Sequence, residues 1–189
     1  IQSTNADIYL EIDGNAQIGL IEAGTGGIEM LVGGLISDNH LDTSSSLDLD
    51  AARLLVTAGD ATSGGIGESA NAIETSATTI AIEAGHDGSY LLGTTSLTVD
   101  DVTVATQTVQ SDASLATAVS NSLSDVTTSG DGNIVLTAAN GNITLNDGSV
   151  KDDAQALVAG GAGKIRLDAS DSITANAAVA SGTGDITLI

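Results

Sequence analysis

The chain has 189 residues, and its 25 acidic residues outweigh four basic ones to give a formal net charge of −21. It contains no Phe, Trp, Cys or Pro and only two Tyr, although 41% of its residues are hydrophobic. The lack of Cys excludes disulfides and Cys-based metal sites, the charge opposes nucleic-acid binding, and no apolar run approaches the ~20 residues of a membrane span. The remaining apolar side chains, mainly Ile, Leu, Val and Ala, predict sheets stacked around a thin core.

The motif Gly-x-Ile-x-Leu, or a looser form of it, recurs along the chain. In chain order the loose copies lie at 7–10, 27–31 and 88–92, and the full copies at 132–136, 141–145, 163–167 and 184–188. Ile and Leu alternate with polar or variable residues, which is the period-two pattern of a strand with one buried face. The Gly before each strand is expected to provide the positive φ of a tight corner.

Three segments depart from this pattern. Segment 65–85 also fits a helix in part, but we favour strands because its flanks are strand-like. Segment 111–126 carries apolar residues at helical spacing, so it predicts an excursion formed by a short helix or a loop. Its helical stripe consists of Leu115, Val119, Leu123 and Val126. Segment 146–163 begins at a turn and ends in Gly, which predicts a bulge.

The spacing of the motif predicts how the strands are arranged. Ile143, Ile165 and Ile186 lie 22 and 21 residues apart, whereas Ile134 precedes Ile143 by only nine. A period of this length is typical of a β-solenoid, and the shorter interval would place two copies on successive faces of one coil. About eight coils would follow. The predicted inward ladder comprises Ile134, Leu136, Ile143, Leu145, Ile165, Leu167, Ile186 and Leu188. The alternative fold is an antiparallel β-sandwich.

The whole chain, 1–189, is therefore expected to form one all-β solenoid domain and to be a segment of a longer repetitive protein. A fainter echo relates the surroundings of Tyr9 and Tyr90, which suggests possible internal units at 1–86 and 87–189.

Several stretches resemble a known family. They are SGGIGESANAIETSATTIA, LTVDDVTV, GNIVLTAANGNITLNDG, GKIRLDASDSITANA and SGTGDITLI. Together they are similar to repeats of giant bacterial surface proteins of the filamentous-haemagglutinin type. The resemblance implies a right-handed parallel β-helix. It also implies secretion to the bacterial cell surface and a role in adhesion, cohesion or a barrier.

The candidate chemical groups are few. His40 and His86 stand in turn-like contexts without partners at motif spacing, and no nucleophile elbow or phosphate-binding loop occurs, so catalysis is not expected. Turn acids that could bind calcium are Asp147, Asp152 and Asp153, although neither the EF-hand nor the nonapeptide calcium motif is present. Solvated turn acids are the simpler interpretation of these three residues.

The sequence thus predicts an extracellular structural or adhesive protein, a stiff scaffold that associates with identical units end to end or laterally. One alternative is a calcium-stabilised adhesin module that binds carbohydrate or host surfaces, with cell-surface glycans as partners and 111–126 as the contact segment. A further alternative is a β-helix enzyme that acts on polysaccharides.

Overall fold

The computed structural model describes residues 1–40, 46–116 and 119–189, and these residues form strands, turns and loops with no helix among them. The strands up to residue 93 are β1 (Ile8–Ile12), β2 (Ala16–Ile18), β3 (Ile21–Glu22), β4 (Gly27–Val32), β5 (Leu35–Asp38), β6 (Leu49–Asp50), β7 (Arg53–Ala58), β8 (Gly65–Ile66), β9 (Ile73–Thr75), β10 (Thr79–Ala84) and β11 (Gly88–Gly93). The later strands are β12 (Leu97–Val99), β13 (Val102–Thr106), β14 (Val119–Leu123), β15 (Val126–Thr128), β16 (Ile134–Ala138), β17 (Ile143–Leu145), β18 (Gln155–Ala159), β19 (Ile165–Ala169), β20 (Ile173–Ala175), β21 (Ala178–Ser181) and β22 (Ile186–Leu188).

Twenty of these strands form two ten-stranded sheets in which every pair is parallel. The first sheet has the order β1-β4-β7-β10-β12-β17-β20, and β15, β18 and β21 continue beside it from β10. The second has the order β2-β5-β8-β11-β16-β19-β22, with β3, β6 and β9 alongside. An antiparallel β-sandwich is therefore the wrong fold for this chain.

The chain alternates between the two sheets as it proceeds. We define a level as one passage of the chain through the first sheet together with the following passage through the second sheet. The described residues make seven such levels, whereas the sequence predicted about eight. Strand pairing continues across residue 86, because β10 pairs with β12 and β15 while β11 pairs with β16. The suggested division into units 1–86 and 87–189 stays a prediction.

The core lies between the sheets and consists of side chains stacked in register. In the first sheet Ile28, Leu54 and Ile80 are register partners on successive levels. In the second sheet Ile134 pairs with Ile165. Buried side chains of both sheets belong to one hydrophobic cluster. This arrangement explains why β-branched and Leu side chains suffice without large aromatic ones, since each fills the space between two like neighbours.

The predicted inward residues are confirmed in six of eight positions. The buried ones are Ile134, Leu136, Ile143, Leu145, Ile165 and Leu167. Ile186 and Leu188 continue the ladder in register on β22, but they are 43% and 51% exposed because no described strand covers that edge.

The two copies in the doubled stretch GNIVLTAANGNITL lie on different sheets. β16 belongs to the second sheet and β17 to the first, so the expected placement on two successive faces is confirmed. The regular spacing of Ile143, Ile165 and Ile186 is nevertheless misleading. Ile143 pairs with Ile173 in the first sheet, whereas Ile165 pairs with Ile186 in the second. Loops of unequal length separate the levels, so similar intervals in sequence need not mark stacked residues.

The predicted positive φ of the motif glycines is confirmed at Gly88, where φ is 93°, and at Gly141, but not at the other copies. Gly141 has a positive φ of 128°, but Gly132, Gly163 and Gly184 do not lie in the positive-φ region. These three stack upon one another at the same corner of successive levels. A Cβ on Gly163 would collide with the carbonyl oxygen of Gly132, and a Cβ on Gly184 with that of Gly163. Close approach between backbones, rather than backbone conformation, therefore requires glycine at this corner.

The excursion in 111–126 is a hairpin rather than a helix. β13 and β14 pair antiparallel, and Val109 and Leu115 form an isolated bridge closer to the tip. Val102, Val104 and Leu123 pack against Leu55 and Ala81 on the outer face of the first sheet. Two forms were predicted for the excursion in 111–126, a short helix or a loop. The helix is wrong for the described residues, because pairing with β13 and contact with an apolar patch on a distant part of the chain outweigh the local helical spacing.

The remaining two segments follow their predictions. Segment 65–85 contains β8, β9 and β10, so the strand interpretation is confirmed. In segment 146–163 a loop precedes β18, which rejoins the first sheet beside β15. The hairpin interrupts the first sheet between β12 and β15, and this loop interrupts it between β17 and β18, one level later. The two excursions are therefore neighbours.

Candidate functional site

The three predicted calcium ligands lie on the loop between β17 and β18. Asp147 Oδ2 accepts a hydrogen bond of 3.0 Å from the backbone N–H of Ala154. The carboxylate of Asp153 accepts from the backbone and side-chain amides of Gln155, at 3.0 and 3.2 Å. Asp152 is exposed. Several of these carboxylate oxygens therefore shape the loop itself, and calcium binding by Asp147, Asp152 and Asp153 stays a prediction.

The loop between β17 and β18 also forms hydrogen bonds with the residues that directly precede and follow the hairpin strands. Asp101, which precedes β13, accepts hydrogen bonds from the backbone of Ser149 at 2.9 Å and of Val150 at 3.1 Å, and another from the Ser149 hydroxyl. These bonds, that of the Ser149 hydroxyl foremost, lower the pKa of Asp101. After β14, Ser124 Oγ accepts from the backbone N–H of Lys151 at 3.1 Å. The loop and the hairpin stem thus form one polar junction.

Asp125 is the buried acid of this junction. It is 1% exposed, has a φ of 67°, and its Oδ2 accepts a 3.3 Å hydrogen bond from Ser124 Oγ. Its Oδ1 is buried and receives no hydrogen bond from the described part of the chain. Burial raises the pKa of Asp125 to about 6; the charges of Asp153 and Asp147 add to this rise, and Ser124 and Lys151 oppose it. The junction therefore holds an ionised carboxylate at neutral pH at a cost in stability.

Replacing Asp125 with Asn is expected to stabilise the protein above pH 6 and to have little effect near pH 4. The folded pKa of about 6 exceeds the ordinary value of 3.8, so the wild type gains stability as the pH falls through this window. Asparagine carries no charge, is nearly isosteric and tolerates a positive φ. A gain on the order of 1–2 kcal/mol at pH 8 should appear in urea unfolding curves.

Asp60→Asn provides the matched control with the opposite sign. Asp60 accepts hydrogen bonds from the hydroxyl and backbone of Thr62 and the backbone of Ser63, and these lower its pKa. Asn at position 60 should therefore lose stability at neutral pH. A gain in Asp125→Asn that is equal at pH 8 and pH 4 would contradict the assignment of a raised pKa to Asp125.

A second acidic cluster lies in the second sheet, between the end of β5 and the start of β6. Asp38 ends β5, Asp48 directly precedes β6, and His40 follows Asp38 by two residues. His40 Nδ1 lies 3.5 Å from Asp38 Oδ1 and 3.9 Å from Asp48 Oδ1. The two carboxylate side chains are 1% and 0% exposed, whereas the imidazole is 47% exposed. Within the described ranges this is the one group of three His or acidic side chains whose ligand atoms lie within 4.8 Å of one another.

The electrostatics of this cluster centre on Asp48. Its Oδ2 accepts a 3.1 Å hydrogen bond from the backbone N–H of Glu74 on β9. Its Oδ1 is buried without a hydrogen-bond partner in the described chain. Burial raises the pKa of Asp48 to about 8, the neighbouring carboxyls of Glu74 and Asp38 contribute to the rise, and the Glu74 backbone amide opposes it. A positive charge beside Asp48 would offset both the cost of burying its ionised carboxylate and the repulsion from the carboxyls of Glu74 and Asp38.

Sequence reasoning missed this cluster. His40 is half exposed, as the turn interpretation expected, but it also faces two buried carboxylates. The spacing of Asp38 and His40, two residues apart, was the feature of the sequence that could have indicated the cluster. Asp48 joins them only because β6 pairs with β3 and β9 beside β5, and that return of the chain cannot be inferred from local spacing.

The hairpin forms the third distinctive surface. Asn121 Nδ2 donates a 2.6 Å hydrogen bond to Oε1 of Glu29, a buried acid whose pKa is raised by burial and lowered in part by this bond. The backbone N–H of Ala105 donates to Asp7 Oδ2 at 3.1 Å. Beyond these contacts the hairpin carries exposed apolar side chains at its outer end. They are Val109, Leu115 and Val119.

Comparison with known proteins gives no relative from which a role could be transferred. Within the described residues, no helix has the length and apolar character needed to cross a membrane. No family model, no curated protein and no solved structure matches the chain.

Proposed function

We propose that this chain is a stiff structural module of an extracellular bacterial surface or filament protein, folded as a parallel β-helix, and that it associates end to end with identical units. The observation that carries the proposal is the in-register stacking of seven levels in two parallel sheets around one core. At ~4.8 Å per level, the stack is roughly 30 Å long. The right-handed winding and the placement at a bacterial cell surface are the parts of this proposal that rest on the family resemblance.

Stiffness in such a module comes from repetition. Each inner level donates and accepts backbone hydrogen bonds on both sides, and its inward side chains contact the levels above and below. Bending the stack would open bonds and core contacts at one level at a time, without any compensating contact. A scaffold of this type transmits force along its axis and leaves few exposed backbone groups for proteases.

The charged outer surface favours a module whose sides face solvent over one whose sides pack against other molecules through apolar contacts. The net charge of −21 gives strong repulsion between the sides of neighbouring molecules. The ends differ from the sides. Ile186, Leu188 and Ile189 at one end are 43%, 51% and 58% exposed, and Ile1 and Leu20 at the other are 65% and 44% exposed. End-to-end contact would pair sheet edges and cover these side chains.

Lysine at Leu188 is expected to weaken self-association at least tenfold without altering the melting temperature appreciably. The side chain lies on edge strand β22, where charge opposes strand addition, and it is half exposed, so little core packing is lost. Light scattering coupled to size exclusion over a concentration series would measure the effect. Electron micrographs and fibre diffraction of the wild type should show filaments with a ~4.8 Å axial spacing.

Val109→Lys is the control, because Val109 is 69% exposed on the hairpin and belongs to neither of the end strands β1 and β22. A wild type that stays monomeric at high concentration would reject end-to-end association. Weaker association in Val109→Lys with none in Leu188→Lys would move the contact to the hairpin.

A second candidate function, a binding adhesin, is favoured by the exposed apolar tip of the hairpin. Val109, Leu115 and Val119 are 69%, 60% and 57% exposed on a hairpin that lies against the outer face of the first sheet. Glycan-array binding that is lost on replacement of Leu115 with Ser would support this candidate, and an array without signal would count against it.

A further inference from the structure

We propose that Asp38, His40 and Asp48 form a binding site for a divalent transition-metal ion, with zinc as the first candidate. The site is independent of the scaffold function, since it lies between β5 and β6 of the second sheet and uses no residue of the sheet ends or the hairpin. Its donor set would be one imidazole nitrogen and two carboxylate oxygens.

The distances between the donor atoms suit a small metal ion. Zinc lies about 2.1 Å from nitrogen and oxygen ligands, so two ligands at a tetrahedral angle are ~3.4 Å apart. His40 Nδ1 is 3.5 Å from Asp38 Oδ1 and 3.9 Å from Asp48 Oδ1. A shift of a few tenths of an ångström in the half-exposed imidazole would bring the second distance to the ideal value. All three donor atoms lie within 4.8 Å of one another.

Asp48 Oδ1 is the observation that distinguishes this cluster from a chance group of acids. The Asp48 side chain is fully buried, and Oδ1 has no hydrogen-bond partner in the described chain, although it points toward the imidazole. A buried polar atom without a partner is costly, and native proteins satisfy almost all such atoms. Within the same ranges, the Lys and Arg ion pairs are those of Arg53 with Asp7 and Arg166 with Asp168, so neither basic residue pairs with this cluster. A bound cation would satisfy Oδ1 directly.

The donor types select the class of metal. Calcium and magnesium prefer sets of six or more oxygen ligands and seldom use imidazole. A set of one imidazole and two carboxylates suits zinc and its first-row neighbours. The 47% exposure of His40 leaves a route from solvent and room for water as a further ligand. Because Asp38 ends β5 and Asp48 precedes β6, the ion would join two consecutive strands of one level.

Zinc titration of the metal-free 189-residue chain tests the proposal. We expect calorimetry to detect one zinc per chain with a Kd in the micromolar range or below, and thermal unfolding to shift upward by several degrees with zinc. Calcium at the same concentrations should give no such shift through this site. Cobalt bound in place of zinc should produce visible d–d absorption.

Two variants make the result specific to the cluster. His40→Gln removes the imidazole from a half-exposed position, so the variant should fold, and it should lose the zinc-dependent shift and weaken zinc binding at least tenfold. His86→Gln is the matched control, because His86 is the other histidine of the chain and accepts a hydrogen bond from the backbone of Asp131 instead of contacting the cluster. It should bind zinc as the wild type does.

Three outcomes would overturn the site. They are no zinc binding by the wild type, binding that survives His40→Gln unchanged, and equal loss in both histidine variants. A folded Asp48→Asn variant that retains full affinity would likewise remove Asp48 from the ligand set.

Discussion

Replacing Ile134 with Asp is expected to destabilise the protein by about 4 kcal/mol or more, which is a large part of the roughly 5–15 kcal/mol by which an ordinary domain is stable. Ile134 is 0% exposed and is the register partner of Ser89 on one side and Ile165 on the other. A carboxylate there would be buried between two levels without a cation. Urea unfolding followed by circular dichroism would measure the loss.

Val135→Asp is the matched control, one residue along the same strand. Val135 faces outward, is partly exposed, and has Arg166 as its register partner on β19, so a carboxylate there would stand beside a positive charge. We expect a change within about 1 kcal/mol. If Ile134→Asp does not fold, Ile134→Ala should still fold with a loss of about 3 kcal/mol. Equal effects of Asp at 134 and 135 would contradict the inward and outward assignment of β16.

Replacing Gly163 with Ala is expected to cost about 3 kcal/mol, although alanine adds a single methyl group. The added Cβ would collide with the carbonyl oxygen of Gly132 on the level below. Neither backbone can move away easily, since the Gly163 carbonyl accepts a hydrogen bond from Ser181 Oγ at 2.7 Å and the Gly132 carbonyl accepts one from Thr128 Oγ1 at 2.6 Å. Thermal and urea unfolding would report the cost.

Gly14→Ala tests whether the effect belongs to the stacked corner. A Cβ on Gly14 meets no atom within 4 Å, and Gly14 is exposed without a positive φ. Alanine there should be neutral or stabilise the protein by up to about 0.5 kcal/mol, because it restricts the unfolded chain. A similar loss at both positions, or none at Gly163, would disprove the close contact between levels.

Local pattern was a good guide where a segment's own residues set its structure. Alternation of Ile and Leu identified strands such as β16, β17 and β19 because a strand with one buried face must place apolar residues at every second position. The nine-residue interval between Ile134 and Ile143 was too short for one full level, and this indicated correctly that the two copies lie on different sheets.

The same reasoning failed where distant segments compete. Leu115, Val119 and Leu123 have helical spacing, yet β14 pairs with β13 and places Leu123 near Leu55, a residue far away in sequence. The gain from covering an apolar patch on another level does not appear in any local window. For the same reason the similar intervals of 22 and 21 residues on the two sides of Ile165 did not reveal that Ile143 belongs to the other sheet.

For the candidate sites, the sequence indicated residue types but not their neighbours. Asp147 and Asp153 were visible as acids in a turn, whereas their proximity to buried Asp125 arises from the packing of two loops on adjacent levels. Likewise Asp38 and His40 are close in sequence, and Asp48 joins them through strand pairing.

The sequence by itself determined that this protein is all-β, repetitive, acidic and built on Ile and Leu ladders, because strand periodicity and composition are local properties. Only the tertiary structure decided which residues stack, why Gly163 must lack a side chain, and where acids gather around His40 and Asp125. The physical reason is that each of these features depends on contacts between levels. Loops of unequal length set the register of those contacts, and no single repeat encodes it.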